Sequence, residues 1–178
     1  MIKKLNEKKA LSRLMKFLSI EGVSGQEKSI AIAVKRDLIV AGVPKKYIFF
    51  DDVKNKIPVP TETGNLIVKL PGTIKGPRKL FMTHLDTIPL CSGAKPIQKK
   101  NRIESKNDTA LGGDNRTGVA CLSTMIIYLL KNNIPHFPIT VLYTVREEDG
   151  GWGARCVDPK TLGNPSMGFN VDGESPQN

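Results

Sequence analysis

A chain of 178 residues with 39% apolar and 25% charged residues has room for one domain with a substantial core, and this composition excludes disordered and fibrous classes. Its 27 basic and 17 acidic residues leave a net charge of +10, which permits attraction to nucleic acid or anionic membranes without requiring it. Cys91, Cys121 and Cys156 are odd in number and include no C-x-x-C pair, so neither a disulfide framework nor a cysteine zinc knuckle is expected, and a reducing compartment fits.

The first residues, MIKKLNEKKALSRLMKFLSIEG, carry charges every few positions and lack the continuous apolar core of a signal peptide. No run approaches the ~18 apolar residues of a membrane helix, so a soluble, cytoplasmic protein with no membrane partner is expected. Leu11, Leu14, Met15, Phe17 and Leu18 recur at close to helical spacing and predict an amphipathic helix over 7–19. Ser24-Gly-Gln-Glu27 then has the capping-box pattern for a helix over about 26–41, which Gly42 and Pro44 end.

Residues 47–50 and 65–70 read as two short strands, antiparallel or at an edge, with the turn-rich PVPTETG before the second. KLFMTHLDTIP, residues 79–89, reads as a buried strand that delivers His84 and Asp86 to its end. The polar stretch 92–108 reads as a functional loop with a small hairpin. Residues 116–131 are apolar on nearly every side, as in a helix buried on a sheet, and PITVLYTV, 138–145, is a central strand. Residues 150–156 open a further helix, and GFNV, 168–171, is a last short strand. The order predicts an α/β, three-layer sandwich around a mixed, mostly parallel sheet.

Chemistry gathers at the ends of these elements. His84, the pair Glu147 and Glu148, and Asp172 lie just past strand ends, and Asp114 just before a helix; on a parallel sheet they would converge on one rim. Two neighbouring divalent cations need several carboxylates and imidazoles, a bridging carboxylate, and one more carboxylate to take a proton from water. Asp114, in GGDNRTG, has flanking glycines that allow close backbone approach, and a helix N-terminus favours its charge. Adjacent glutamates on an extended chain point to opposite sides, so one would ligate metal while the other faces water. Each residue alone has an ordinary reading as a cap, a turn, a solvated strand end or a structural histidine. Turn chemistry does not predict their conjunction.

THLDTIP, GGDNRTG, REEDGGWGA and NVDG, in this order, resemble the co-catalytic zinc peptidases and deacylases that include peptidase T, the tripeptide aminopeptidase, and the aminoacylases. FLSIEGVSGQE resembles the N-terminal helix and turn of that family, and NVDG is closest to peptidase T. The resemblance runs from about Leu14 to Gly173. It implies a two-Zn2+ site in which His84 and Asp172 bind one ion, Glu148 the other, and Asp114 bridges them. It further implies that Asp86 orients His84, that Glu147 is the general base, and that the reaction is amide hydrolysis of a small peptide or N-acyl amino acid. Arg116 stands where the family has a lysine, and Asn115 where an acidic residue is common.

The family also takes a second-zinc histidine from beyond an inserted lid and dimerisation domain. This chain has only His136 besides His84 and ends six residues after Asp172. His136 is expected at the opposite end of its strand. Residues 1–178 are therefore expected to be a single, truncated catalytic domain, weak or inactive alone, with the His84, Asp114 and Asp172 site the better filled. The exposed sheet edge left by missing strands would take a complementing chain or a second copy. The rival reading is a non-catalytic fragment acting as a metal-binding or interaction module. Specific nucleic-acid binding is not expected, since no aromatic-and-basic ribbon or helix-turn-helix pattern accompanies the charge.

Overall fold

A computed structural model of the chain describes residues 4–173. Its organising element is the strand expected to be central: Ile139–Thr144 is buried at all six positions, because strands flank it on both sides and side chains cover both faces. In chain order the strands are β1 (Ile48–Phe50), β2 (Leu66–Leu70), β3 (Lys79–His84), β4 (Pro96–Lys99), β5 (Arg102–Ser105), β6 (Ile139–Thr144) and β7 (Met167–Asn170). The helices are α1 (Glu7–Leu18), α2 (Lys28–Val40), α3 (Gly113–Lys131), α4 (Trp152–Cys156) and α5 (Pro159–Leu162).

The main sheet has the order β1-β2-β6-β3-β7, and β4 with β5 forms the small hairpin of the polar stretch. β1 and β2, and β2 and β6, pair antiparallel, whereas β3 pairs parallel with both β6 and β7. The sheet is mixed as expected, evenly divided between the two kinds of pairing instead of mostly parallel. Parallel neighbours need crossovers; α3 supplies the one between β3 and β6, and α4 with α5 the one between β6 and β7.

The period of two along each strand sorts side chains between two cores. Leu66, Val68 and Leu70 of β2 and Val141 and Tyr143 of β6 join Phe17 of α1, Ile30, Val34 and Leu38 of α2, and Val119, Leu122 and Ile126 of α3. The register carries this through, placing Leu66 opposite Tyr143 and Val68 opposite Val141. Ile67, Leu142 and Leu80 face the other way into a smaller cluster closed by Leu162 of α5. One face of the sheet thus carries a full helical layer and the other a partial one.

Polar contacts lock the helices in place. Arg13 of α1 donates to Asp37 of α2 at 2.6 Å and to Thr124 of α3 at 3.0 Å, and the Tyr143 and Ser123 hydroxyls meet at 3.0 Å between β6 and α3. The capping-box expectation is corrected. Glu27 is at the N-cap of α2 but makes no side-chain cap there, and Ser24 donates instead to Asp86 Oδ2 at 2.7 Å. A buried carboxylate is a stronger acceptor than the neutral groups it displaces, so tertiary contact overrides the local motif.

Asn65, at the entrance to β2, is fully buried. Its Nδ2 donates to Asp51 Oδ2 and the Gly153 carbonyl, both at 2.9 Å, while its Oδ1 accepts from the Val145 amide at 3.1 Å. One amide side chain thereby joins β2, the exit of β6 and α4. Asn65→Leu keeps much of the volume but leaves the Val145 amide and Gly153 carbonyl without these partners. It is expected to cost about 3 kcal/mol, read as a lower midpoint in urea with an unchanged slope.

Candidate metal centre

The parallel strands β3, β6 and β7 end on the same rim, which brings His84, the segment after Thr144 and the segment after Asn170 together. His84, the last residue of β3, is 2% exposed. Its Nδ1 lies 3.1 Å from the Asp86 carbonyl and 3.4 Å from Asp86 Oδ1. These acceptors hold the Nδ1 side of the ring and turn Nε2 toward the rim.

Carboxylates surround Nε2. Asp114 Oδ1 lies at 3.0 Å, Asp172 Oδ1 at 3.5 Å and Glu147 Oε2 at 3.9 Å. His84, Asp114 and Glu148 each offer a ligand atom, and these atoms all lie within 4.8 Å of one another. His84, Asp114, Glu147, Glu148 and Asp172 are therefore brought together, while His136 sits before β6 with its Nδ1 2.8 Å from the Phe137 carbonyl, at the far end of the sheet as expected. The grouping differs in one respect from the expected first site: the mutually close set contains Glu148, and Asp172 approaches His84 beside it.

The structure also corrects the extended geometry assumed for the two glutamates. Arg146 has φ +53°, and the chain turns through 148–150. Glu147 therefore lies near His84 while Glu148 joins the same donor set. Asp86 fixes this turn as well as the imidazole, its Oδ1 accepting from the Glu147 amide at 3.0 Å and its Oδ2 from the Glu148 amide at 3.1 Å. It is fully buried.

Asn115 is a site residue that motif reasoning passed over. Its Nδ2 donates to the Val171 carbonyl at 2.7 Å and to Asp172 Oδ1 at 2.8 Å, and its Oδ1 accepts from the Gly118 amide at 2.9 Å. It thus aims Asp172 from the start of α3, whose backbone is non-helical at Asp114 and Asn115. Of the glycines in GGDNRTG, Gly118 has the steric reason: a Cβ there would collide with Asn115 Oδ1, Thr83 Oγ1 and the Val171 carbonyl. Gly112 has φ +76°, a left-handed conformation that side chains resist. Arg116 is buried and donates through Nη2 to the Gly22 carbonyl at 3.4 Å.

The electrostatics follow from burial and crowding. For His84, burial works to lower the pKa, but the hydrogen bond and charge of Asp86, with Asp114 and Asp172, raise it to about 9. Burial raises the carboxyls of Glu147 and Glu148, opposed by His84 and reinforced by neighbouring acids. Burial opposes ionisation of Asp86 too, yet His84, Ser24 and the Glu147 amide together hold its carboxyl below the usual range. Burial lowers the Arg116 guanidinium to about 10, with Asp86 the first of the opposing charges. An imidazole nitrogen ringed by carboxylates is a donor set for a hard or borderline divalent cation, and its mutual spacing fits one.

No family model matches the chain. An uncharacterized protein of Bacillus subtilis, YqjE, is 29% identical over 96% of this chain and 44% of its own length. Peptidase T of Salmonella arizonae is 29% identical over 64% of this chain and 36% of its own length. The crystal structure of aminopeptidase PepT from Bacillus cereus superposes with a TM-score of 0.86 at 29% identity, over 96% of this chain and 44% of that one. Peptidase T and an aminopeptidase PepT are thus among the proteins to which this chain is similar. The 178 residues span less than half the length of each of these relatives.

Asp86→Ala removes the shared acceptor of Ser24, Glu147 and Glu148 and the counter-charge of His84. It is expected to cost about 3–5 kcal/mol, the usual consequence of removing one partner of a buried charge pair. Asp86→Asn, which keeps one acceptor oxygen, should lose less; urea unfolding of both variants checks the order.

Proposed function

We propose that this chain is the metal-binding part of the catalytic domain of a peptidase T-type hydrolase that cleaves the amide bond of small peptides. The observation that carries this reading is the convergence of His84, Asp114, Glu147, Glu148 and Asp172 at the rim of the parallel strands. His84 and Asp172 would hold one zinc ion, Glu148 would serve a second, and Asp114 would lie between them. Bound zinc would polarise the scissile carbonyl and make water a better nucleophile at neutral pH.

The chain's own residues have distinct tasks in this reading. Glu147 is the base: its carboxylate lies 3.9 Å from His84 Nε2 and is 44% exposed on its side chain, so it can take a proton from water at the site and return it to the leaving amine. Asp86 keeps the His84 Nδ1 proton in place and holds the amides of both glutamates. Asn115 keeps Asp172 turned toward His84. The cluster of acidic side chains at the rim opposes a phosphate backbone there, which disfavours nucleic acid as the partner of this site.

The single catalytic domain would extend through added strands. β7 is exposed at all four positions, with Met167 at 51% and Phe169 at 43%, and among the described residues it pairs only with β3. Further strands, from the same polypeptide, a complementing chain or a second copy, would cover this edge.

Equilibrium dialysis of the full chain against zinc tests the site. At least one ion should bind, His84→Ala and Asp114→Ala should each weaken it by a hundredfold or more, and Glu147→Gln should leave it within a few fold. Where tripeptide turnover is measurable, Glu147→Gln should lower kcat by 10²–10⁴. A natively folded wild-type chain that takes up no zinc would refute the reading.

A further inference from the structure

We propose that Glu27 is a positioning residue for the Glu147–Glu148 pair, acting through the backbone of Arg146. The proposal rests on the metal-site reading above and concerns a residue that lies in neither the proposed ligand set nor the proposed proton path.

Three consecutive amides present the glutamates, and each donates to a buried carboxylate. Arg146 N meets Glu27 Oε1 at 2.9 Å, Glu147 N meets Asp86 Oδ1 at 3.0 Å, and Glu148 N meets Asp86 Oδ2 at 3.1 Å. Arg146 is the hinge of this turn. Its φ of +53° is a left-handed conformation that a non-glycine residue resists, so the conformation depends on what holds it. The Arg146 side chain is tied down by Thr61 Oγ1 at 2.8 Å and by the Pro60 carbonyl and Asp149, and Glu27 takes its amide.

The placement of Glu27 is costly without such a role. It is 0% exposed, it does not cap α2 with its side chain, and its Oε2 is buried with no hydrogen-bond partner among the described residues. Burial of a carboxylate with an unused oxygen is unfavourable, and burial accordingly raises its carboxyl above the ordinary range. What it gains is a single oxygen shared between two turns, since Oε1 also accepts from the Gly25 amide at 2.7 Å. Next to it Ser24 donates to Asp86. The turn between α1 and α2 is thus fastened to both acids that hold the glutamates, and Glu27 forms the half of that clamp nearer the hinge.

The test uses Co2+ as the probe ion with the full chain and its Glu27→Gln and Glu27→Ala variants. The visible spectrum of Co2+ reports its coordination, whereas a role in packing alone would lower the unfolding midpoint without altering affinity or spectrum. Glu27→Ala is expected to weaken Co2+ binding about 10- to 100-fold and to change the spectrum. Glu27→Gln keeps an acceptor oxygen and should recover affinity to within about threefold of wild type. Wild-type affinity and spectrum in folded Glu27→Ala would overturn the proposal.

Amide hydrogen exchange separates this outcome from failure of the metal site itself. If the wild-type chain takes up no Co2+, the metal reading falls, and the clamp is judged by exchange at Arg146, Glu147 and Glu148. These amides should exchange at least tenfold faster in Glu27→Ala, with Val141 unchanged, and equal rates would overturn the clamp. If Glu27→Ala does not fold, Glu27→Gln decides: exchange at Arg146 should rise about threefold as a charged acceptor becomes neutral, and no change would count against the proposal.

Discussion

The carboxylate of Asp86 is the contact on which the rest of the rim depends. It is fully buried, two residues past the end of β3, and it joins Ser24 before α2, His84 on β3, and the amides of Glu147 and Glu148 after β6. A charge in that position is tolerable only when its lone pairs are occupied and an opposite charge is near. The structure meets both demands with groups that themselves have work to do. The same hydrogen bonds that keep Asp86 ionised set the orientation of the imidazole and the path of the glutamate turn.

The sheet makes this arrangement possible by stacking three parallel strand ends on one side. β3, β6 and β7 each terminate in a segment carrying an acid or an imidazole, and the register of β3 with β6 sets His84 level with Thr144, just before the turn. The antiparallel half, β1 and β2, contributes no donor to the group around His84, yet Asn65 at the entrance to β2 grips the exit of β6. Apolar layers hold the frame and polar side chains tune its ends. The site is correspondingly rigid beneath and more open above, with His84 at 2% and Asp114 at 55% side-chain exposure.

The elements were legible because their apolar patterns are strong. The periodicity over 7–19, 116–131 and 138–145 indicates α1, α3 and β6, and the antiparallel pair β1–β2 at the sheet edge and the hairpin in 92–108 also match the sequence reading. The short α5 was not, because four residues carry no period. The Ser24 to Glu27 motif reads as a local cap in the sequence, but Ser24 and Glu27 also have partners, Asp86 and Arg146, more than sixty residues away that no local pattern shows. Asn115 was passed over because an asparagine beside an aspartate gives no sign that its amide will reach Asp172.

What the sequence by itself determined is an α/β chain with an ordered set of imidazole and carboxylate groups placed at element ends, because periodicity and composition act through near neighbours. Only the tertiary structure decided that both glutamates turn toward one histidine, that Asp86 serves three segments at once, and that Glu27 faces inward to the Arg146 amide. Those outcomes depend on which distant donors compete for each buried acceptor. The opening motif, His84 with Asp86, was recognisable as a ligand and its support; its reach to the glutamate turn becomes visible only when β6 lies beside β3.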